Sequence, residues 1–299
     1  MKSARSPLSQ LQVPAVRTVH QSRFVDIDGM RTHYLDAGDG PALVLLHSGE
    51  FGACAELSWE YLIPALAGHF RVIAPDWLGF GQTAKIHDFD GKRARMLSHM
   101  ARFCEVMAID AAHFVGNSMG ATYLLQAVAQ NPCPLPVASL VAISGGGFIP
   151  ENDERLRMVD YDGTEGGMVG LLTAMFDDPV WFTDPAYLAR RHASSIAPGA
   201  WEAIAAARFR SPVAEPRSEF GQADTTPYGR IGVPALLIAG ARDRLRLPGY
   251  AQQVATQIPD GRAIVVPDCG HCPNIEQPGV VADEIIAFVR GQLAGPDAR

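Results

Sequence analysis

The chain has 299 residues, 47% hydrophobic and 19% charged, enough to bury a large core in one α/β domain carrying an insertion. A net charge of −7 without a basic stripe argues against a nucleic-acid surface, and no apolar run reaches the ~18 residues that a membrane span needs. Five cysteines, an odd number in a chain this long, do not read as a disulfide framework.

From the N-terminus, "MKSARSPLSQLQVPAV" begins basic but lacks the roughly 7–15-residue apolar stretch of a signal peptide. A cytoplasmic location is therefore expected. Residues 24–38, "FVDIDGMRTHYLDAG", alternate around Asp28–Gly29 and predict a hairpin. "ALVLLH" at 42–47 is a continuous apolar run closed by a polar loop, the pattern of a buried parallel strand. The same form recurs at 71–76, 112–117, 139–144, 234–240 and 262–268. Helical periodicity falls between them at 97–109, 119–130 and 279–293, and the basic "GKRAR" at 91–95 reads as a solvated helix start. Such alternation predicts a mostly parallel central sheet with helices on both faces. One interval, 149–220, is charged, aromatic and Pro-rich without a buried strand, and predicts a helical lid. The expected organisation is thus a first core part at 1–148 with an N-terminal arm at 1–22, the lid at 149–220, and a second core part at 221–299.

In an open α/β sheet, ligands sit beyond the carboxyl ends of the strands, so chemistry is sought just after each apolar run. After 112–117 comes "GNSMG", a GxSxG sequence with a strand before it and a helix after it. Such a turn projects the Ser118 hydroxyl into the crevice and aims the Met119 N–H at a developing oxyanion. A hydroxyl is a poor nucleophile near neutral pH and needs a base that is itself oriented by an acid. Asp243 in "PALLIAGARDR" and His271 in "VVPDCGHC" follow in the order serine, acid, histidine, each on a loop after a strand. Asp268 is a rival acid, but it adjoins the histidine in sequence, and Asp243 could instead pair with Arg242 or Arg244. The second oxyanion donor is expected from "LLHSGEFGA", with Gly49 as the candidate and His47 as a brace. The stretch "CGHC" also has the spacing of a dithiol pair or half a metal site. Cys54, Cys104 and Cys133 provide no second ligand pair, so no metal is expected and His271 is the working residue.

These motifs resemble the α/β-hydrolase superfamily over essentially the whole chain. Within it, "LLHSGEFGA", "WEYLIPAL", "RVIAPDWLGFGQT", "HFVGNSMGA" and "FDDPVWFTDPAYLARRHASSIAPG" look most like the meta-cleavage product hydrolases. The resemblance implies a serine-dependent enzyme without a cofactor that cleaves a carbon–carbon bond in a vinylogous diketone acid from aromatic-compound degradation. It also implies that Arg191 of the lid holds the substrate carboxylate, with Arg190 equally available, and that Asn117, Ser48 and Trp181 line the substrate site. Three positions depart from the family pattern. Ser48 and Glu50 stand where the loop usually has glycine, and Cys272 stands where tryptophan usually follows the histidine. Glu50 would oppose an anionic substrate unless it points away or pairs with an arginine. A carboxylesterase and a hydrolase-fold binding protein are the alternatives. The expected partner is a small-molecule substrate, with no nucleic acid and no membrane; a homo-oligomer is left open.

Overall fold

The computed structural model describes residues 12–209 and 220–294. The first half of the expected arm at 1–22 therefore falls outside the described residues, as does 210–219 at the end of the expected lid.

The first hairpin pairs β1 (Gln21–Ile27) with β2 (Met30–Ala37) in antiparallel register, Ile27 opposite Met30. Its two-residue turn places both Asp28 (φ 52°) and Gly29 (φ 80°) in the left-handed region, as a tight hairpin requires. Beyond it run β3 (Ala42–Leu46), the short helices α1 (Ala55–Trp59) and α2 (Ile63–Leu66), β4 (Arg71–Pro75) and α3 (Lys92–Val106). Then come β5 (Ala112–Asn117), α4 (Met119–Val128) and β6 (Val137–Ile143). Among the described residues, five α-helices lie between β6 and the next strand: α5 (Asp153–Val159), α6 (Glu165–Met175), α7 (Val180–Thr183), α8 (Pro185–Ser195) and α9 (Ala200–Ala205). The chain returns through β7 (Ala235–Gly240), α10 (Tyr250–Ala255), β8 (Gly261–Val266), α11 (Pro273–Glu276) and α12 (Pro278–Leu293). The strands form one eight-stranded sheet in the order β1-β2-β4-β3-β5-β6-β7-β8. It is parallel from β4 to β8, and β2 joins β4 antiparallel.

The apolar runs are continuous because both faces of the sheet are covered. In β3, Val44 and Leu46 enter the core beneath α3, α4 and α10, while Leu43 and Leu45 enter the core beneath α1, α2 and α12. Each such side chain contributes about 1.5–3 kcal/mol by leaving water. A third cluster joins the helices between β6 and β7, which occupy the place of the expected lid, to the sheet edge, with Phe51, Met168, Leu172, Trp181 and Tyr187 packed with Leu245, Cys272 and Ile275. Lid helices begin on side-chain caps: Asn152, Thr164 and Asp184 accept N–H bonds from the first turns of α5, α6 and α8.

The main difference from expectation is α3, which starts at Lys92 and ends at Val106 rather than spanning 97–109. Its first turn is polar and holds exposed Arg93 and Arg95, so apolar periodicity begins only at Met96. It stops where Ala108 turns to φ 52°. No helix among the described residues is long and apolar enough to cross a membrane.

Candidate active site

Ser118 sits between β5 and α4 with φ 52° and ψ −110°, a conformation that a non-glycine residue adopts only under constraint. The constraint comes from close backbone packing. A Cβ on Gly116 would lie 2.5 Å from the Ala121 nitrogen, and one on Gly120 only 2.3 Å from the Leu46 carbonyl oxygen. Both motif glycines are therefore required for α4 to fold back against β5 and the end of β3. Gly145, beyond β6, serves likewise, since a Cβ there would lie 2.7 Å from the Ser118 carbonyl oxygen. The Ser118 N–H donates to the Ile143 carbonyl at 2.8 Å, so the turn is fastened to the neighbouring strand.

Loops after β7 and β8 bring the acid and the imidazole to this hydroxyl. His271 Nε2 lies 2.8 Å from Ser118 Oγ, and its Nδ1 lies 2.8 Å from Asp243 Oδ2. The His271 and Asp243 side chains are only 1% and 3% exposed. Burial works against the Asp243 charge, but the adjacent imidazole and the Leu245 N–H, which donates to Oδ1 at 2.8 Å, hold its carboxyl below the usual range. An ionised Asp243 only accepts, so Nδ1 carries the proton and Nε2 is left to accept from the serine hydroxyl. The rival carboxylate points elsewhere: Asp268 is exposed and bonded to Arg242 at 2.6 Å. Arg242 and Arg244 pair with Asp177, not with Asp243.

The loop after β3 closes the other side. His47 donates from Nδ1 to the Ser48 carbonyl at 2.6 Å and accepts the Trp77 N–H on Nε2 at 3.0 Å. It is a buried brace, as expected. Gly49 lies against the residue after the serine, because a Cβ there would meet Met119 Sδ at 2.5 Å. Loop and lid touch directly: Ser194 Oγ donates to the Gly52 carbonyl at 2.9 Å.

Arg191 extends from α8 with its side chain 0% exposed, and its Nη2 donates to Glu50 Oε1 at 2.6 Å; the Glu50 side chain is 2% exposed. Burial penalises the Glu50 charge, yet Arg191 and the Ser48 hydroxyl outweigh it and hold the carboxyl below its ordinary value. The Nε and Nη1 groups of Arg191 are buried without a hydrogen-bond partner among the described residues. Arg190, by contrast, is 44% exposed and bonded to Glu60 at 2.6 Å. Trp181 stacks on Phe176 at 5.6 Å and meets Tyr187 edge-on at 5.1 Å inside the lid cluster. Asn117 is buried, donates weakly to the Ile143 carbonyl at 3.4 Å, and leaves its Oδ1 unpaired. The cysteines are all free, and burial pushes the thiols of Cys269 and Cys272 upward, the former to about 12. Thiols held protonated are inert, which suits packing rather than dithiol exchange.

Sequence reasoning missed Glu276. Its Oε1 accepts the Gly270 N–H at 2.7 Å, and its Oε2 accepts the N–H groups of Asp177 and Asp178 at 2.8 and 3.0 Å. With the His271 N–H donating to Met175 O at 2.7 Å, it clasps the histidine loop to the lid. Burial, reinforced by Asp177 and offset by the three N–H groups, raises its carboxyl to about 7. The only signal in the sequence was a glutamate five residues after the histidine.

A hydroxyl, an imidazole and a buried carboxylate in line at the strand ends of a doubly covered parallel sheet define a serine hydrolase of the α/β class. Residues 43–284 match the alpha/beta hydrolase family, and the chain belongs to it. It is 34% identical to the 2-hydroxy-6-oxo-6-(2'-aminophenyl)hexa-2,4-dienoic acid hydrolase of Metapseudomonas resinovorans, over 91% of this chain and 92% of that one. It is 29% identical to the 2-hydroxymuconate semialdehyde hydrolase of a Pseudomonas strain, over 90% of this chain and 93% of that one. Among solved structures, a serine hydrolase involved in carbazole degradation superposes with a TM-score of 0.76 at 30% identity, covering 91% of this chain and 99% of that one.

Proposed function

We propose that this chain is a cytoplasmic enzyme that hydrolyses a carbon–carbon bond in a vinylogous diketone acid of the 2-hydroxy-6-oxo-dienoate type. The observations that carry the reading are the aligned Ser118, His271 and Asp243 and the buried Arg191, whose Nε and Nη1 have no hydrogen-bond partner among the described residues and can receive an acidic or carbonyl oxygen. The names of the two relatives given above, a dienoic acid hydrolase and a semialdehyde hydrolase, support the same substrate class. The free thiols support a reducing compartment.

In this reading His271 takes the Ser118 proton, or that of a water, and Asp243 keeps the imidazole in the required tautomer and balances its charge. The N–H groups of Gly49 and Met119 hold the oxyanion that forms at the attacked carbonyl, each such donor being worth ~100–1000-fold in turnover. Arg191 binds the carboxylate, Asn117 meets the polar end of the substrate, and Ser48 and Trp181 shape the remaining wall. Water adds across the broken bond to give an acid and a shortened hydroxy-dienoate.

Carboxylesterase activity is a second reading, favoured by Glu50, which already offsets the charge of Arg191. Loss of the yellow absorbance of 2-hydroxy-6-oxo-6-phenylhexa-2,4-dienoate, the dienoate named for relatives, is expected to exceed cleavage of p-nitrophenyl esters. Ser118→Ala should abolish it while retaining the fold by circular dichroism. Ester cleavage with the dienoate untouched would transfer the assignment to the carboxylesterase. Binding without turnover of either would point to a receptor.

A further inference from the structure

Arg246 follows Asp243 on the loop after β7, is 5% exposed, and lies over the Tyr250 ring, 5.4 Å from its centroid. Its Nε donates to the Ser144 carbonyl at 3.2 Å, its Nη1 to the Gly146 carbonyl at 2.8 Å, and its Nη2 to Thr122 Oγ1 at 3.4 Å. The Thr122 hydroxyl in turn donates to the Ser118 carbonyl at 3.0 Å and accepts the Gly146 N–H at 3.1 Å. One guanidinium thus joins the acid loop to the turn after β6 and, through a single hydroxyl, to the Ser118 turn. On its other side the acid loop is fastened to α5. Asn152 donates to the Arg244 carbonyl at 2.9 Å and Arg155 to the Leu245 carbonyl at 2.5 Å, while the Leu245 N–H holds Asp243 Oδ1.

Burying a guanidinium is costly, and an apolar side chain could fill the same space without that cost. Stability alone therefore does not call for arginine here. What arginine supplies is a rigid fork of donors able to bridge groups on α4 and beyond β6 at once. Its charge also bears on the acid: burial works against an ionised Asp243, and His271, the Leu245 N–H and then Arg246 offset it. We propose that Arg246 is a positioning residue, which fixes the Asp243–His271 pair at the separation from Ser118 that proton transfer requires. This role rests on the triad mechanism above and is independent of which bond the enzyme cleaves.

Full-length Arg246→Met keeps much of the side-chain bulk and removes both charge and donors. With whichever substrate the native enzyme turns over, dienoate or p-nitrophenyl ester, kcat should fall roughly 10–100-fold, as for a misplacement of about 1 Å, with KM nearly unchanged. Arg246→Lys, which retains the charge and one donor group, should give a kcat between the two. The loss should disappear in the Asp243→Asn background, because Arg246 acts through that acid. A native kcat in Arg246→Met, a loss carried by KM, an Arg246→Lys rate as low as that of Arg246→Met, or an equal loss in the Asp243→Asn background would each overturn the proposal and leave Arg246 a packing element. Should Arg246→Met fail to fold, Thr122→Val removes only the shared hydroxyl and should lower kcat roughly 2–10-fold, the worth of one hydrogen bond. An unchanged kcat there would overturn the proposal. Should the native enzyme cleave neither substrate, the functional reading fails, and the rate of Ser118 phosphonylation by a fluorophosphonate decides among the same variants. In that step the Oγ–P bond forms, fluoride leaves, and the hydroxyl proton passes to His271.

Discussion

Asp243 carries its charge where water cannot reach it, and the whole site depends on that. Its two oxygens accept from His271 and from the Leu245 N–H, so neither is left for solvent. Asp243→Asn keeps the shape but allows the amide to donate to Nδ1, which would drive the proton to Nε2 and deprive Ser118 of its base. The expected outcome is a ~10⁴-fold fall in kcat, as in other triads, with the circular dichroism spectrum unchanged. A loss of tenfold or less would mean that orientation of the imidazole comes from elsewhere, with the Met175 carbonyl bond to the His271 backbone the first alternative to examine. Such single residues were legible because GxSxG and the order serine, acid, histidine are local signals read against strand ends. Pairing of Glu50 with an arginine was one expected alternative, but which arginine was not legible: its contact with Arg191 spans 141 positions, and nothing in either segment alone specifies the other.

Among the elements, the elbow and the lid respond to added methyl groups in opposite ways. At Gly120 the new Cβ would lie 2.3 Å from Leu46 O and 2.6 Å from His47 O, both backbone atoms unable to swing aside. Gly120→Ala should destabilise by about 1–3 kcal/mol through overpacking and shift the loop after β3 away from Ser118. At Gly170, inside α6, a Cβ would meet nothing within 4 Å. Gly170→Ala should therefore stabilise by up to about 1 kcal/mol, the helix-propensity difference. Urea unfolding of both variants checks the pair, and equal effects at the two sites would show that propensity, not packing, dominates. The strands were readable from sequence because burial on both faces writes itself as an apolar run. The start of α3 was not, because a polar first turn carries no periodicity. Gly145 was missed because its role appears only once β6 lies beside the elbow.

Across the whole molecule, the lid and the core meet at the Glu276 carboxylate, and pH reads the strength of that clasp. Burial raises its folded pKa from the ordinary 4.5 to about 7, against the pull of three N–H donors. Between those values the folded chain holds a proton that the unfolded chain has released, so stability from this group falls as pH rises from about 4.5 to about 7 and is level above. Asp243 acts in the opposite sense and in a different window. Its folded pKa lies below the ordinary 3.8, so its contribution is complete above that value and is lost only as pH falls below it. Subtracting the melting temperature of Glu276→Gln from that of the native chain at each pH from 5 to 8 cancels every other titration. The difference is expected to shrink steadily toward pH 7 and then flatten. A difference that grows with pH would show that the three N–H bonds outweigh burial and that the clasp works as a carboxylate. In either case, Glu276→Gln offers one amide oxygen where two carboxylate oxygens served Gly270, Asp177 and Asp178, so at least one donor loses its partner. The histidine loop and the lid should then loosen together, which hydrogen exchange at Gly270 and Asp177 would detect as faster exchange at both amides.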